Sequence, residues 1–335
     1  MATIKDVAAL AGVSISTVSR TLSGIAPVSD ETREAVMKAV EELNYQPNVL
    51  AQGLKRGRSN LISLIIPNIM NPIFPAVARG VEDRARNMGF NVILCNTDEK
   101  LDVEEDYVKK LQMRWVDGYI FATASGNSAH IRELHGQGVP VVLLIRGMDL
   151  AVDQIVLDNF KGAYEAVSYL ISQGNGSVAI YNGRTDIELY QERYNGYLKA
   201  LEDAGIPFDE NLVLGSAQNA EQTNTYPSVM EMLEKGLRPD AIFVASDPMA
   251  LGVMRAIRDF GLRVPDDISV IGFDNLEFSA MLEPPLTTVS QPLYKMGALA
   301  AERLIKRIER KGASKPPRIF RINSKLIVRH TVKAK

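Results

Sequence analysis

Between Gly12 and Gly24 the chain reads GVSISTVSRTLSG, with six hydroxyl side chains (Ser14, Ser16, Thr17, Ser19, Thr21 and Ser23) and one charge, Arg20. Serine and threonine compete with the backbone for hydrogen bonds, so such a helix is weak in isolation. What it can do is present short donors and acceptors at close range. An arginine suits guanine O6 and N7 in a bidentate pair, hydroxyls suit several base edges or phosphates, and an apolar Ile15 can touch a thymine methyl. The alternative is a solvated helix with hydroxyl caps, in which Ile15 is a small-domain core residue.

The surrounding elements give this stretch a geometry. Thr3 can cap a helix whose apolar positions Ile4, Val7, Ala8 and Ala11 follow an i, i+3, i+4, i+7 pattern, closed by Gly12. Ser14 caps a second helix with Val18 and Leu22 inward. A third starts at Ser29 with Asp30, Glu31 and Glu34 near its first turn, where the helix dipole favours acids. Its inner face is read as Thr32, Val36, Val40 and Leu43, and Asn44 and Pro47 end it. The spacing predicts a helix-turn-helix whose second helix lies in a DNA major groove, with Ser16, Thr17 and Arg20 outward. Residues 1–60 carry seven bases and six acids, a weak net +1, but the acids concentrate on the third helix and three bases fall at 55–58.

Residues 48–60, NVLAQGLKRGRSN, then offer Asn48 as an N-cap and a short apolar set interrupted by Gly53 and ended by Gly57. A helix this short needs outside support. Leu54 beside Lys55 and Arg56 has the pattern of an apolar wedge flanked by phosphate-binding cations; a flexible basic linker is the plainer reading of the same residues.

The runs TIKDVAALAGVSISTVSRTLSG and VSDETREAVMKAVEELNYQPNVLAQGLK resemble the headpiece and hinge of the lactose/galactose repressor family over residues 2–56. LISLIIPNIMNPIFPAVARGVED is similar to its catabolite-control and galactose-type branch. The resemblance implies that Ile15, Ser16 and Arg20 read bases and that Leu54 intercalates beside Ala51 and Lys55. The full set of expected DNA contacts is Thr3, Ser14, Ile15, Ser16, Thr17 and Arg20, with Asn48, Ala51, Leu54 and Lys55 in the hinge.

From residue 61 the pattern becomes α/β. Apolar runs at 61–66, 91–95, 119–122, 141–145, 154–157, 178–181, 241–245 and 268–273 read as buried parallel strands. Helical stretches lie near 75–88, 102–113, 128–135, 160–173, 188–204, 222–235 and 248–260. Late segments at 287–292 and 325–329 flank a helix over 293–310. The fold class is thus an all-α helix-turn-helix headpiece followed by two doubly wound parallel-sheet subdomains. The resemblance implies that these form a periplasmic-binding-protein-like core with crossovers near 158–160, 288–291 and 320–323. The expected division is 1–46 headpiece, 47–60 hinge, and 61–335 core, with an N-subdomain of about 61–158 and 291–320 and a C-subdomain of about 159–288 and 323–331.

Ligands of such sheets bind beyond the strands' carboxyl ends. That rule and the resemblance together point to Phe74 as a stacking face, Arg193 in ERYNGY, Asp274 in IGFDN, Ser246 after AIFVA, Asp158 after QIVL, and Arg146 after VVLLI. Asp158 and Asp247 could equally cap the following helices. Sugar-responsive relatives often carry an acid where this chain has Ile145 and then Arg146, and an aromatic where it has Ala217. Two arginines without that acid tilt the cleft positive, which leads to an anionic effector such as a sugar acid or sugar phosphate.

Other classes find little support. No phosphate-binding glycine loop, nucleophile elbow or H-E-x-x-H is present, and the three histidines, His130, His135 and His330, lack metal-site spacing. No cofactor or metal is expected, and no enzymatic activity. A single cysteine, Cys95, fits a reducing compartment, and the start lacks the apolar core of a signal peptide, so a cytoplasmic protein is expected, with no membrane partner. The net charge of -2 announces no global polyanion field. The function read from these residues is a homodimeric, sequence-specific transcription regulator, a repressor by resemblance. It would act on near-palindromic double-stranded operator DNA under control of a small carbohydrate-like effector. A retained sugar-binding receptor, or a catabolite-control regulator answering to a phosphoprotein co-repressor, is the alternative.

Overall fold

The computed structural model describes residues 2–23, 28–45, 58–114, 116–126, 128–215, 225–309 and 316–333. The chain falls into two compact units, residues 1–59 and 60–335.

The first unit holds α1 (Ile4–Leu10), α2 (Ile15–Ser23) and α3 (Asp30–Glu42). At the head of α1 the Thr3 N–H and hydroxyl both donate to Asp6 Oδ2, at 2.7 and 2.8 Å. Gly12 makes the turn at φ +66°, in the left-handed region. Ser14 Oγ accepts the Thr17 N–H at 3.1 Å, and Ser29 Oγ accepts that of Thr32 at 3.3 Å. The small core is Val7, Ala8, Val18, Val36 and Ala39. Ala39 takes an inner position of α3 that the sequence reading gave to Thr32, whose hydroxyl instead bonds Ser29 Oγ at 2.8 Å in the first turn.

The second unit contains two six-stranded sheets. The first half runs β1 (Leu61–Ile66), α4 (Ile73–Asn87), β2 (Asn91–Asn96), α5 (Leu101–Met113), β3 (Gly118–Phe121), α6 (Ala129–Gly136), β4 (Val141–Leu144) and β5 (Asp153–Leu157). The second runs α7 (Asn159–Ser172), β6 (Val178–Tyr181), α8 (Glu188–Asp203), β7 (Val213–Leu214), α9 (Thr225–Glu234), β8 (Ala241–Val244), α10 (Asp247–Asp259), β9 (Ser269–Asp274) and β10 (Thr287–Ser290). Last come α11 (Leu293–Glu309), β11 (Ile319–Ile322) and β12 (Lys325–Ile327). The sheet orders are β2-β1-β3-β4-β5-β11 and β7-β6-β8-β9-β10-β12. All pairings are parallel except that of β10 with β12. Each sheet therefore reverses direction of growth between its first and third strands, the switch point where a doubly wound sheet opens a crevice.

The chain passes between the lobes three times. It does so from β5 into α7, which packs on the second sheet, from β10 into α11, which packs on the first, and from β11 into β12. Each lobe is pinned by a helix pair in backbone contact. A Cβ at Gly80 of α4 would lie 2.1 Å from the Tyr294 carbonyl oxygen of α11, and one at Gly297 would lie 2.2 Å from that of Val77. In the other lobe, a Cβ at Gly196 of α8 would meet the Phe160 carbonyl oxygen of α7 at 2.4 Å. The fully buried Asp153 accepts from Arg303 at 3.0 Å, Arg307 at 2.8 Å and the Arg318 N–H at 2.9 Å, tying α11 and β11 to β5. These contacts hold the strand ends, and the side chains just beyond them, in fixed relation.

Candidate functional sites on the headpiece and in the core cleft

On the headpiece, α2 divides cleanly. Val18 is fully buried, while Ser14, Ser16 and Arg20 are exposed and Ile15 keeps 45 % of its surface in solvent. Ile15 is therefore not a core residue, and its apolar side chain stands between polar neighbours on an open face. Thr17 is half-buried, its hydroxyl 2.8 Å from Ser14 Oγ. Thr3 is exposed at the start of α1. The hinge positions Asn48, Ala51, Leu54 and Lys55 lie outside the described residues.

In the core, side chains gather beyond the carboxyl ends of the strands. Arg193 of α8 is buried; Nε donates to Asn159 Oδ1 at 3.0 Å and Nη1 to the Ala245 carbonyl at 2.5 Å. Its guanidinium lies 3.7 Å from the Phe273 ring centroid and 5.7 Å from that of Tyr190. Burial draws its pKa down, opposed by the nearby Asp274. Asp274 is buried in turn, with Oδ1 accepting from Gln291 Nε2 at 2.5 Å. Burial pushes its carboxyl up to about 8, against the pull of Arg193 and with Asp247 adding to the rise. At pH 7 this group is mostly a protonated acid, able to donate as well as accept.

Backbone strain marks the same region. Asp274 has φ 125° and Ile145 φ 68°, each at the end of the fourth strand of its sheet order. Such conformations cost on the order of 1–3 kcal/mol apiece and tend to collect where ligands bind. Three buried polar atoms just past strand ends have no hydrogen-bond partner among the described residues: Thr123 Oγ1 after β3, Asn182 Oδ1 after β6 and Ser246 Oγ after β8. Leaving one such group unpaired costs roughly 1–3 kcal/mol.

The remaining expected positions fall differently. Asp158 caps α7, accepting the Lys161 N–H at 3.1 Å, and it is the next residue, Asn159, that reaches Arg193. Asp247 accepts from the Leu276 N–H at 2.9 Å, Ser279 Oγ at 2.5 Å and Thr288 Oγ1 at 2.6 Å, fastening the turn after β9. Phe74 is only 3 % exposed, packed in the apolar cluster with Ile66 and Val77 rather than presenting a ring face. Arg146 is spanned by Glu99, with Nη1 to Oε2 at 3.0 Å and Nη2 to Oε1 at 2.5 Å. Glu99 thus neutralises Arg146, one of the two arginines behind the expected positive tilt, while Arg193 is met by the Ala245 carbonyl and by an Asp274 that is mostly protonated at pH 7. Arg146 and Glu99 border an open cavity of about 260 Å³ between the lobes, which Arg184, Asp186 and Ile187 also line.

Sequence reasoning passed over Glu99, Thr123, Asn182, Tyr190 and Gln291. Thr123, Asn182 and Gln291 each lie within two residues of a strand end, and that placement was a usable signal. Glu99 gave none, since nothing local links it to a partner 47 positions away.

A three-helix headpiece with an open polar recognition face, joined to a two-sheet core with a polar interlobe cleft, defines a DNA-binding regulator with an effector-binding core. The model of the bacterial regulatory proteins of the lacI family matches residues 3–48, and that of the periplasmic binding proteins and sugar binding domain of the LacI family matches residues 59–330. The chain belongs to the LacI family of transcription regulators. It is 38 % identical over 340 residues to the ribose operon repressor of Halalkalibacterium halodurans, covering 99 % of this chain and 98 % of that one. It is also 38 % identical over 336 residues to the HTH-type transcriptional repressor PurR of Vibrio atlanticus, covering 99 % of each. Among solved structures it is similar to the lac repressor dimer bound to operator and the anti-inducer ONPF, with a TM-score of 0.88, 31 % identity and 99 % of each chain covered. No helix among the described residues is long and apolar enough to cross a membrane.

Proposed function

We propose that this chain is a cytoplasmic, homodimeric repressor that binds near-palindromic double-stranded operator DNA and is controlled by a small carbohydrate-like effector in the core cleft. The observation that carries the reading is the open face of α2, where Ile15 stands in solvent beside Ser16 and Arg20 while Val18 is buried behind them. An exposed isoleucine flanked by a hydroxyl and an arginine suits a thymine methyl and a guanine edge. Two such headpieces related by a two-fold axis match two half-sites. The similarity to two repressors and to a repressor dimer bound to its operator supports the repressor role and the dimer.

In this reading residues 1–46 read the operator and the hinge at 47–60 contributes Asn48, Ala51, Leu54 and Lys55, with Leu54 as the wedge. The core responds to ligand through Arg193, Asp274 and Ser246, and Asn159 takes the part first given to Asp158. Effector acts through its different affinity for two arrangements of the lobes, and so shifts the population able to hold both headpieces on DNA.

Thermal-shift screening of the full chain against neutral sugars, sugar acids, sugar phosphates and nucleobases identifies a cleft ligand, and operator anisotropy then measures coupling. The expected result is a change in operator affinity of about 5–150-fold at saturation. A ligand that saturates the cleft yet leaves operator affinity unchanged overturns effector control.

A further inference from the structure

Asn159, the first residue of α7, has its side-chain amide fixed by three neighbours. Nδ2 donates to the Leu157 carbonyl at 3.3 Å and to Glu192 Oε2 at 3.2 Å, while Oδ1 accepts from Arg193 Nε at 3.0 Å. Two acceptors on one side and a donor on the other admit only this orientation, since a half-turn of the amide would set N–H against N–H. Asn159 is 2 % exposed and Arg193 4 %, so a mispaired amide between them is costly. The Asn159 oxygen therefore holds Arg193 only as long as its nitrogen is itself held.

The other oxygen of Glu192 faces the opposite lobe. Arg321 of β11 donates from Nη1 to Glu192 Oε1 at 3.1 Å. β11 belongs to the first sheet, where Arg321 stands in register with Val156 of β5, whereas Glu192 sits on α8 of the second lobe. Both side chains line a cavity of about 220 Å³ that the two lobes border, with Gln154 and Ile319 on one side and Asn159 and Leu189 on the other. The Arg321 side chain keeps 53 % of its surface in solvent and that of Glu192 23 %. A pair so exposed is weak and offers little resistance to a movement of the lobes. An unbroken series of polar contacts thus runs from Arg321 through Glu192 and Asn159 to Arg193, and ends at the Ala245 carbonyl and the Phe273 ring.

We propose that Glu192 and Arg321 are positioning residues for Arg193: their ion pair across the lobes holds the Asn159 amide so that its oxygen keeps the guanidinium in place over the Phe273 ring. The inference rests on the reading of Arg193 as the effector's partner and adds how that partner is set. Glu192 precedes Arg193 in the chain, yet it acts on it through a residue of another helix. Separation of β11 from α8 frees Glu192 to turn into solvent. Asn159 Nδ2 then keeps only the Leu157 carbonyl, and Oδ1 loses its fixed aim at Arg193 Nε. The arginine thereby reports the arrangement of the lobes, and a ligand that grips it in this position favours the arrangement in which the pair is closed.

The test reads deuterium exchange at the Arg193 Nε–H by side-chain NMR of the arginine-labelled full chain, with no ligand added. Arg321→Ala removes a side chain that bonds neither Asn159 nor Arg193, and it is expected to speed that exchange about two- to fivefold, the equilibrium factor of an exposed ion pair. Arg321→Lys keeps the charge and should return the rate close to that of the wild-type chain. Glu192→Gln should fall in the same range as Arg321→Ala. The charge-swapped double variant, Glu192→Arg with Arg321→Glu, restores attraction between the lobes but offers Asn159 Nδ2 no acceptor, so its exchange should stay fast. Unchanged exchange in both Arg321→Ala and Glu192→Gln overturns the proposal. Recovery in the charge-swapped chain also overturns it, by making the pair a staple between lobes and nothing more. The internal control is the Arg307 Nε–H, which donates to Asp153 at 2.8 Å within the first lobe. Equal acceleration there marks a general loosening and counts against positioning. Effector control is measured separately on operator DNA, so its failure would leave these rates in place.

Discussion

The guanidinium of Arg193 lies 3.7 Å from the centroid of the Phe273 ring, and its Nη1 reaches the Ala245 carbonyl at 2.5 Å. One side chain of α8 is thereby fastened to the ends of β8 and β9, at the place where a ligand would meet the second lobe. Arg193→Ala removes the fork and leaves Asn159 Oδ1 and the Ala245 carbonyl without this donor. The expected outcome is loss of the effector's influence on operator binding, retained operator affinity, and a core destabilised by about 2–4 kcal/mol. Arg193→Lys keeps the charge but not the planar fork and should also lose the response. Anisotropy with and without effector, beside urea denaturation, checks both effects. A variant that still responds removes Arg193 from the site.

Asp274 gives the core a pH dependence of definite sign. Its folded carboxyl titrates at about 8 because it is buried, whereas an unfolded one titrates near ~3.9. Between those values the folded chain binds the extra proton, so stability is highest at the acid end and falls as pH rises through about 8. The denaturation midpoint should therefore be lower at pH 9 than at pH 6, and Asp274→Asn should flatten the difference. Asp247, also raised by burial, titrates in the same sense, so some slope remains in the variant. A midpoint that rises from pH 6 to pH 9 would contradict the buried, protonated acid.

The α4–α11 crossing makes a sharp packing prediction. A methyl at Gly80 would sit 2.1 Å from a backbone oxygen, which cannot swing aside as a side-chain end can. Gly80→Ala should cost about 1–3 kcal/mol or more through forced separation of the helices. Gly136→Ala in α6 is the control, since nothing lies within 4 Å of the added carbon. There helix propensity acts alone, and a gain of roughly 0.5–1 kcal/mol is expected. Thermal melts of the two variants should move in opposite directions; a shared direction would refute the close crossing.

Much of this architecture was readable in advance because period and length are strong signals. LISLII and VVLLI read as buried strands by their length and β-branched content, and the Ser14 and Ser29 caps set two of the headpiece helices. The edge strand β11 escaped, because Ile319–Ile322 carries Arg321 in a half-exposed run. The sequence singled out Arg193 and Asp274, and the structure buries both in one cluster near the strand ends. The neutralisation of Arg146 was not legible, because it depends on a glutamate three residues past the end of another strand. Nor was the burial of Phe74, since a phenylalanine after a strand fills a core as readily as it offers a face. Partnerships made by topology leave no local mark, and these are what set the charge of the cleft.

The most direct measurement of the central claim is selection of DNA from a random-sequence duplex library with the full chain and with Arg20→Ala. The account predicts enrichment of a near-palindrome by the wild-type chain. With Arg20→Ala, two symmetry-related positions should relax, and affinity for the enriched sequence should fall by about 1–3 kcal/mol. Enrichment of no symmetric sequence, or an equal loss of affinity on every duplex tested, would contradict base reading by α2.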